Sequence, residues 1–472
     1  MKRRAKIVCT LGPATSSPDM VRALVAAGMD VARLNFSHGT RDEHAALYRE
    51  VRAAGAAAGR AVALMVDLQG PKIRLGPFED GGAVLEPGAT FTITTEPGVE
   101  GNAERAGTTY AALAQDVTPG ANVLIDDGRV RLRVLDTDGT RVRCNVVEGG
   151  RVSDHKGINL PGVRVSAPSM SNKDRDDLRF ALSLRVDLIA LSFVRDVSDL
   201  VEVHAVMDEV GARLPVIAKI EKPEAVDRLG PIVRAFDGLM VARGDLGVEI
   251  PLEQVPLVQK RCVRLAREHG KPVIVATQML DSMIHSSHPT RAEASDVANA
   301  VLDGADALML SGETSVGAYP TLAVETMARI IGAAESQGFS SLPSVRRRPD
   351  TRPEAIALNA VRIAEDLRAV ALVAFTETGA TARHVAVHRD HIPLLAFTSR
   401  PEVRSRLALL WGCETFVVPK VRHTDDMVAL ADQALLELAR GRPGDFVIIV
   451  AGTPPGTAGS TNTLRVHKLG GE

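Results

Sequence analysis

Short apolar runs that end in polar or glycine residues recur through the first two thirds of the chain. Runs that are apolar on both faces are typical of strands in a buried parallel sheet. Eight such strands are predicted, at Lys6–Gly12, Val31–Ser37, Ala61–Leu68, Leu188–Val194, Pro215–Glu221, Gly238–Leu246, Pro272–Leu280 and Ala307–Thr314. Helix-like stretches lie between them, such as Ser17–Ala27, Arg41–Ala58 and Leu252–Glu268. This alternation predicts an α/β protein with a (β/α)8 TIM barrel.

Two further regions have a different pattern. Between the third and fourth strands, alternating strands and Asp-Gly turns at 127–128 and 138–139 predict an inserted all-β domain. After a Pro/Ser/Arg-rich linker at 338–352, apolar strands are predicted at Ala371–Thr376, Leu394–Ser399, Glu414–Pro419 and Asp445–Gly452. We therefore predict three domains, namely a barrel of residues 1–70 and 168–336, an inserted β-rich domain of residues 71–167, and a C-terminal α/β domain of residues 337–472.

Composition excludes several classes of protein. A chain of 472 residues is too long for one core, and it has no apolar run of the length that spans a membrane. Its four cysteines form no CxxC pair, so neither a zinc site nor a disulfide framework is expected. The N-terminus lacks the apolar core of a secretory signal, which predicts a cytoplasmic protein. With a net charge of −2, no nucleic-acid partner is expected.

Polar side chains gather at the carboxyl ends of the predicted strands, where barrel enzymes hold their functional groups. In chain order they are Arg33, Asn35, Ser37, Asp67, Arg74, Ser192, Arg195, Lys219, Glu221, Arg243, Gly244, Asp245, Thr277, Ser311 and Glu313. Such a ring is costly to bury without a ligand. Glu221 and Asp245 end adjacent strands, and ligation by oxygen alone favours Mg²⁺ or Mn²⁺. The alternative is that both are structural carboxylates bonded to backbone N–H groups.

Lys219 lies two residues before Glu221, on the same face of the strand. It could form a Schiff base, pair with the carboxylates, or hold positive charge during phosphoryl transfer. Arg33 and Arg74 can each bind phosphate oxygens with a forked guanidinium. The chain has neither a GxxxxGK[ST] loop nor a GxGxxG turn, so arginines and a metal ion would have to hold any nucleotide.

Long motifs extend over the whole chain and closely resemble those of pyruvate kinases. They are KIVCTLGPA (6–14), ARLNFSHG (32–39), DLQGPKIR (67–74), AKIEKPEA (218–225), MVARGDLGVEI (240–250), VIVATQMLDSM (273–283), PTRAEASDVANAV (289–301) and ALMLSGETSVGAYP (307–320). The resemblance implies phosphoryl transfer from phosphoenolpyruvate to ADP in glycolysis, giving pyruvate and ATP, by an ATP:pyruvate 2-O-phosphotransferase. It also implies that the inserted domain is a mobile lid, that the C-terminal domain binds an effector, and that the chain forms a homotetramer.

The resemblance also implies roles for individual residues. Catalytic roles fall on Lys219, Arg33, Thr277 and Ser311, and substrate contacts on Arg33, Lys219, Gly244, Asp245 and Thr277. The divalent metal ligands are Glu221 and Asp245. The nucleotide contacts are Arg33, Asn35, His38, Arg74 and Lys156. A monovalent-cation pocket is formed by Asn35, Ser37, Asp67 and the carbonyl of Leu68.

Lys72 makes the chain similar to the potassium-independent branch of the family. Many relatives have a glutamate at this position, whose charge K⁺ balances, whereas a tethered ammonium can supply that charge directly. K⁺ is therefore expected not to be required, although the pocket residues are present. The alternative is that Lys72 points into solvent at the hinge of the lid.

The loop at 376–381 is similar to the family's sugar-phosphate site, with Thr376, Thr378, Gly379 and Thr381 as the expected contacts. The segment 457–463 supports this assignment. Ala380 stands where some relatives have arginine, so a sugar monophosphate or AMP is expected as effector instead of a bisphosphate. The alternative is an ordinary capped turn between a strand and a helix.

The sequence also leaves two other functions open. A barrel lyase or mutase acting on phosphoenolpyruvate or another keto acid could share the metal carboxylates, but it would need neither the lid nor the nucleotide arginines. A metabolite-sensing regulator could keep the fold without catalysis. Loss of Lys219, Glu221 or Asp245 would favour the regulator, and all three are present.

Overall fold

The structure is a computed structural model that describes residues 3–343, 348–457 and 459–471. Its largest unit is a closed barrel of eight parallel strands, which confirms the predicted fold class. The first to eighth barrel strands are Lys6–Thr10, Val31–Asn35, Ala63–Asp67, Leu188–Leu191, Val216–Ile220, Gly238–Ala242, Val273–Ala276 and Ala307–Leu310. Nearly every residue of these strands is buried, since helices cover the outside and side chains fill the inside.

The helices around the barrel begin at capping residues. Thr40, Ser171 and Thr290 each accept a hydrogen bond from the backbone N–H three residues on, and the acidic residue at that position bonds back. The helices are Pro18–Ala27, Arg41–Ala57, Asn172–Leu184, Asp199–Val210, Pro223–Asp227, Leu229–Ala235, Val255–Glu268, Arg291–Asp303 and Pro320–Gly338. Among the described residues, no helix is long and apolar enough to cross a membrane.

Three of the predicted strands end four residues too late, and one of them is the seventh, which was predicted to reach Leu280 but ends at Ala276. The sixth barrel strand ends at Ala242, and a short helix, Arg243–Glu249, takes up the rest of the predicted segment. The eighth ends at Leu310 and is followed by the short helix Gly312–Ser315. Buried residues continue into both helices, with Leu246 in the first and Glu313 and Thr314 in the second, and hydrophobic periodicity cannot distinguish so short a buried helix from a strand. As a result, Gly244 and Asp245 lie inside a helix at the barrel mouth, where the sequence predicted the end of a strand.

The insertion after the third barrel strand is built from two sheets and has its own core. Gly82–Leu85 pairs with Gly150–Ser153. A six-stranded sheet has the order Ile158–Asn159, Asn122–Ile125, Val130–Thr137, Arg141–Glu148, Thr90–Thr94 and Arg105–Gly107. The Asp-Gly pairs at 127–128 and 138–139 lie in hairpin turns, as predicted. A single helical turn, Leu113–Asp116, interrupts the strands.

The C-terminal unit is a five-stranded sheet covered by helices. Its strand order is Cys413–Val417, Leu394–Thr398, Ala371–Phe375, Phe446–Gly452 and Thr461–Lys468, and its helices are Arg352–Asp366, Ala380–Ala386, Pro401–Arg406 and Thr424–Glu437. The last strand is antiparallel, and the sequence did not predict it. Of the predicted linker at 338–352, residues 344–347 lie outside the described residues. The domain boundaries at 70/71, 167/168 and 336/337 stay predictions.

The amino ends of the barrel strands form the floor of the barrel, and an aspartate precedes each even-numbered strand there. Its backbone N–H donates to the carbonyl of a residue in the preceding odd-numbered strand. Its carboxylate accepts the N–H of that same residue. The four pairs are Asp30 with Ile7 at 2.9 Å, Asp187 with Leu64 at 2.7 Å, Asp237 with Val216 at 2.9 Å, and Asp306 with Val273 at 3.1 Å. These bonds fix the register of successive strand pairs.

Candidate active site

Four charged side chains from three barrel strands form one buried cluster at the mouth, the carboxyl end of the barrel. Arg33 donates through Nε to Asp67 Oδ2 at 2.7 Å. Lys219 Nζ lies 3.2 Å from Asp67 Oδ1 and 2.9 Å from Glu221 Oε1. Asp67 and Glu221 are each 1% exposed. The structure thus brings together four residues that the sequence selected separately.

Burial and ion pairing have opposite effects on the pKa values of the charged groups in this cluster. Burial alone would raise the pKa of Asp67, but Lys219 and Arg33 together hold it below its usual value. Burial would lower the pKa of Lys219, but Asp67 and Glu221 outweigh it and raise that pKa. The pKa of Glu221 is raised by burial and by the nearby negative charge of Asp245, against the opposing charge of Lys219. Glu221 and Asp245 therefore lie close enough to repel each other.

Two polar residues to which the sequence assigned no individual role hold this cluster in place. Lys219 Nζ donates to Ser192 Oγ at 2.7 Å, and Ser192 Oγ donates to the carbonyl of Leu68 at 2.7 Å. Arg33 donates to Thr10 Oγ1 at 2.9 Å. Ser192 was visible in the sequence as a polar residue after the fourth barrel strand. Thr10 ends the first barrel strand, and that position was the signal that could have identified it.

Thr277 is joined directly to the helix that carries Gly244 and Asp245. The backbone N–H of Gly244 donates to Thr277 Oγ1 at 2.8 Å. Thr277 itself has a left-handed backbone, with φ of 70°, which is uncommon outside glycine and is typical of sites where a backbone must be held in one geometry. Arg243 donates to the Thr277 carbonyl at 2.7 Å and pairs with Asp296 at 2.7 Å. Arg243 therefore positions Thr277.

Ser311 lies at the end of the eighth barrel strand. Its backbone N–H donates to Glu313 Oε2 at 2.7 Å, and Glu313 Oε1 accepts from Leu280 N at 3.0 Å. Burial raises the pKa of Glu313. The Ser311 hydroxyl is buried and has no hydrogen-bond partner among the described residues. Glu313 thus links the loops that contain Leu280 and Ser311, whereas the Ser311 hydroxyl is free to bond to a ligand.

The residues selected for the monovalent-cation pocket have partners within the chain. Asn35 Oδ1 accepts from Ser37 N at 3.1 Å. The Leu68 carbonyl accepts from Ser192, and Asp67 pairs with Arg33 and Lys219. His38 is exposed, and its carbonyl bonds to the ring of His44.

Arg74 and Lys156 lie on the inserted β-rich domain, apart from the buried cluster. Arg74 donates to the carbonyl of His155 at 3.0 Å. Lys156 Nζ pairs with Asp126 at 2.8 Å. Lys72 lines the same cleft between barrel and insertion as Asp245, and its side chain lies over Gly157, where an added Cβ would be 3.0 Å from Lys72 Cε. In the described part of the chain its ammonium has neither a hydrogen bond nor an ion pair.

The loop selected for an effector lines a cleft in the C-terminal unit. Thr376 Oγ1 accepts from Gly379 N at 2.9 Å, and Thr381 Oγ1 bonds to Thr461 Oγ1 at 2.7 Å. Gly379 has φ of 83°, which glycine adopts without strain. The carboxylate of Glu377 also lines this cleft and accepts from the Ser399 hydroxyl at 3.3 Å. Within the supporting segment 457–463, residue 458 lies outside the described residues.

Family models cover nearly all of the chain. The barrel domain of pyruvate kinase matches residues 2–324, and its alpha/beta domain matches residues 354–467. The chain belongs to the pyruvate kinase family. This confirms the resemblance that was read from the motifs.

Similar proteins named pyruvate kinase match along their whole length. One from Mycobacterium tuberculosis is 61% identical over 470 residues, which cover 100% of this chain and 99% of that protein. One from Corynebacterium glutamicum is 58% identical, covering 100% of this chain and 98% of that protein. A crystal structure of a pyruvate kinase from Cryptosporidium parvum has a TM-score of 0.92 at 38% identity, covering 99% of this chain and 96% of that one.

The reaction follows from this membership. The enzyme is a phosphotransferase that moves the phosphoryl group of phosphoenolpyruvate to ADP, giving pyruvate and ATP in glycolysis. Pyruvate kinases generally use Mg²⁺ and K⁺. The lyase, mutase and regulator alternatives are therefore wrong.

Proposed function

We propose that Lys219 is the central catalytic group of this pyruvate kinase, and that Arg33, Thr277 and Ser311 assist it. The observation that carries the proposal is the buried contact of Lys219 with both Asp67 and Glu221. A preorganised ammonium in a site closed to water stabilises negative charge that develops on the transferring group. Because its pKa is raised, Lys219 keeps this charge throughout the reaction.

Glu221 and Asp245 are proposed to hold the divalent ion, Mg²⁺ or Mn²⁺. Their oxygens suit a hard cation. The raised pKa of Glu221 reflects burial and the charge of Asp245, and a cation between the two carboxylates would relieve both. When bound, the ion supplies positive charge that neutralises substrate oxygens.

The helix Arg243–Glu249 is proposed to hold the substrate carboxylate. The Gly244 backbone and Thr277 lie side by side at 2.8 Å, so hydroxyl and N–H groups face one region of the mouth. Glycine at 244 permits close approach of the ligand. Asp245 contributes through the metal ion. Ser311 is proposed to pass a proton towards the enolate carbon, since its buried hydroxyl has no other described partner.

The nucleotide is proposed to contact Arg33, Asn35, His38, Arg74 and Lys156. Arg74 and Lys156 belong to the inserted domain, so their proposed approach requires that domain to act as a lid. Closure would exclude water and bring Lys156 towards the nucleotide phosphates, at the cost of its ion pair with Asp126.

The catalytic role proposed for Lys219 is tested with the substitution Lys219→Met. Turnover should fall by about 10²–10³-fold or more, while Mn²⁺ and phosphoenolpyruvate still bind. Binding is measured by calorimetry and turnover by coupled pyruvate detection. Lys222→Met is the matched control, because Lys222 pairs with Glu249 outside the cluster. Near-normal turnover in Lys219→Met would remove Lys219 from the mechanism.

The enzyme is proposed not to require K⁺ for activity. The ammonium of Lys72 is proposed to supply the positive charge that K⁺ supplies in other pyruvate kinases. The position of Lys72 in the cleft beside Asp245 supports this proposal over a solvent-directed hinge lysine. The proposed cation pocket supports it too, since the oxygens of Asn35, Asp67 and the Leu68 carbonyl already accept hydrogen bonds from the chain itself.

The potassium test compares salts at matched ionic strength. Activity in tetramethylammonium chloride should nearly equal that in KCl, and Lys72→Glu should become potassium-activated. Lys420→Glu, which changes a lysine of the C-terminal unit, is the control. A wild-type enzyme that is almost inactive until K⁺ is added would overturn the proposal.

The cleft around Thr376, Thr378, Gly379 and Thr381 is proposed to bind a sugar monophosphate or AMP. Glu377 supports a monophosphate over a bisphosphate, because its carboxylate would repel a second phosphate. If neither ligand shifts the apparent affinity for phosphoenolpyruvate, the proposed effector site is excluded.

A homotetramer and a cytoplasmic location are proposed from family membership. Sedimentation tests the first and cell fractionation tests the second.

A further inference from the structure

Residues 192–195 lie directly after the fourth barrel strand, which ends at Leu191. They contact the buried cluster at the mouth and also both places where the chain passes between the barrel and the inserted domain. We call these four residues the linking segment. The first crossing is defined as residues 68–71, after the third barrel strand, and the second crossing as residues 165–168, before the helix Asn172–Leu184.

Towards the cluster, the linking segment bonds to two charged side chains. Lys219 Nζ donates to Ser192 Oγ at 2.7 Å, and the backbone N–H of Phe193 donates to Glu221 Oε2 at 2.7 Å. The other Glu221 oxygen, Oε1, pairs with Lys219 at 2.9 Å. Phe193 has φ of 55°, which is rare for an aromatic residue and indicates a backbone held by its surroundings. Because such partners orient metal ligands, the Phe193 N–H fixes the position of Glu221.

The first crossing packs directly against the linking segment. The carbonyl of Leu68 accepts from the Ser192 hydroxyl at 2.7 Å. A Cβ at Gly70 would lie 2.6 Å from the ring of Phe193 and 3.0 Å from Ser192 Cβ, so the close approach requires glycine. The N–H of Gly70 also donates to the buried carboxylate of Asp174 at 2.9 Å. A shift of the first crossing would therefore displace Phe193.

The second crossing is held by the side chain of Arg195. Its Nη1 donates to the carbonyl of Val165 at 2.6 Å, and its Nη2 donates to the carbonyl of Ala167 at 2.8 Å. A planar guanidinium can hold two acceptors at once in one fixed geometry. The backbone N–H of Arg195 donates to Asp199 Oδ2 at 2.7 Å, and Asp199 is buried. Arg195 is thus bonded to the barrel through its backbone and to the second crossing through its side chain.

We propose that Arg195 is a positioning residue that couples the second crossing to the Phe193 N–H, and through it to Glu221. The inference rests on the proposed function, since it takes Glu221 as a metal ligand and the inserted domain as a lid. When the lid moves, the two carbonyls move with it and pull on the guanidinium. Phe193 is two residues away, so the displacement reaches the donor that orients Glu221. The position of the lid then changes the geometry of the metal site directly.

A purely structural role for Arg195 gives a different expectation. Loss of the side chain would then lower the free energy of unfolding without changing the metal site. In a positioning role, loss of the side chain weakens metal binding, because Phe193 no longer keeps its N–H directed at Glu221. Metal affinity therefore distinguishes the two roles, whereas stability alone does not.

Arg195→Ala in the full-length enzyme tests the proposal. Its affinity for Mn²⁺, measured by electron paramagnetic resonance without substrate, should fall by about tenfold. Because Glu221 keeps its carboxylate, saturating Mn²⁺ should restore most of the turnover in Arg195→Ala but not in Glu221→Gln. Arg228→Gln is the matched control and should keep the wild-type affinity, because Arg228 pairs with Asp196, the neighbour of Arg195.

Hydrogen exchange of the metal-free enzyme gives a readout that does not depend on activity. The peptide that contains Phe193 should exchange faster in Arg195→Ala than in the wild type. Gly70→Ala should produce the same change from the first crossing, because its Cβ would overlap the Phe193 ring. If Arg195→Ala folds poorly, Arg195→Lys keeps the charge but loses the fork, and its Mn²⁺ affinity should fall in the same direction.

Wild-type Mn²⁺ affinity in a folded Arg195 variant would overturn the proposal, as would unchanged exchange of the Phe193 peptide. Glu221→Gln separates this failure from that of the proposed function. If Glu221→Gln loses Mn²⁺ affinity and Arg195→Ala does not, only the coupling is wrong. If neither variant loses affinity, the proposed metal site is wrong and the coupling falls with it.

Discussion

At the barrel floor, buried carboxylates bond to the backbone of the neighbouring strand and to an arginine, whereas at the mouth the buried carboxylate of Asp67 bonds to other side chains. Asp306 is representative of the floor, with Val273 N at 3.1 Å and Arg389 at 2.8 Å. Asp67 is representative of the mouth, with Arg33 and Lys219. A carboxylate committed to the backbone cannot leave without breaking the sheet, whereas one held by flexible side chains can exchange partners with a ligand. Burial alone therefore does not mark a functional carboxylate.

A loss of activity comparable with that of Lys219→Met should come from Glu221→Gln at the mouth. Turnover should fall by about 10²–10³-fold, because one proposed metal ligand and one partner of Lys219 are lost together. Mn²⁺ affinity, measured by electron paramagnetic resonance without substrate, should fall as well. Asp306→Asn is the control and should keep its Mn²⁺ affinity. Unchanged Mn²⁺ binding in Glu221→Gln would remove Glu221 from the metal site.

The largest effect on stability should come from Asp306→Asn at the floor. Removing one member of a buried ion pair costs about 3–5 kcal/mol, and here the carboxylate also accepts from Trp411 N in the C-terminal unit at 3.2 Å. The first unfolding transition in urea should move to lower concentration, with turnover of the folded enzyme unchanged. Asp19→Asn removes an exposed pair with Arg22 and should change neither quantity. If Asp306→Asn lost turnover but kept normal stability, the view that floor carboxylates stabilise the fold and mouth carboxylates serve activity would be contradicted.

Acid should expose a smaller contribution from Asp30. Burial alone would raise its pKa, but Arg3, Lys6 and Arg60 together hold it below 3.8. A carboxyl whose folded pKa is depressed stabilises the protein above its unfolded pKa, and that stability is lost as pH falls through the folded value. Asp30→Asn should therefore be less stable than wild type at pH 7, and the difference should shrink below pH 3.8. Urea midpoints along a pH series measure this, and a constant difference would contradict it.

The smallest effect should come from Thr290→Ala, on the mouth side. Thr290 caps the helix Arg291–Asp303, and Glu293 ties the cap to Ser282 at 2.7 Å. Loss of such a cap costs about 1 kcal/mol. Activity should stay normal, because the residues of this contact, Thr290, Glu293 and Ser282, are bonded to one another and not to a proposed site residue. A large loss of turnover would show that a residue's location at the mouth determines its effect on activity more than its bonding partners do.

The barrel could be predicted because each strand is a separate apolar run. The clustering of Arg33, Asp67, Lys219 and Glu221 also follows from sequence, since parallel strands bring their carboxyl ends to one edge. The partners of these residues did not follow, because contacts such as that between Lys219 and Ser192 depend on side-chain directions. The strand Thr461–Lys468 was missed because it is antiparallel, at the sheet edge and largely polar.

The positions of the floor aspartates form a pattern in the sequence itself. Asp30, Asp187, Asp237 and Asp306 each stand directly before, or one residue before, an apolar run that becomes an even-numbered strand. That spacing was visible, but its meaning depends on the register between strands.

The pairing of Asp187 with Leu64 also implies a delay during synthesis of the chain. These residues are 123 positions apart, because the insertion lies between them. At about 5–20 residues per second, the fourth strand leaves the ribosome roughly 6–25 s after the third. During that interval the nascent chain carries three barrel strands with an open edge, which is the kind of surface on which chains associate. The insertion has a core of its own, so it can fold within the delay and let the two halves of the barrel meet.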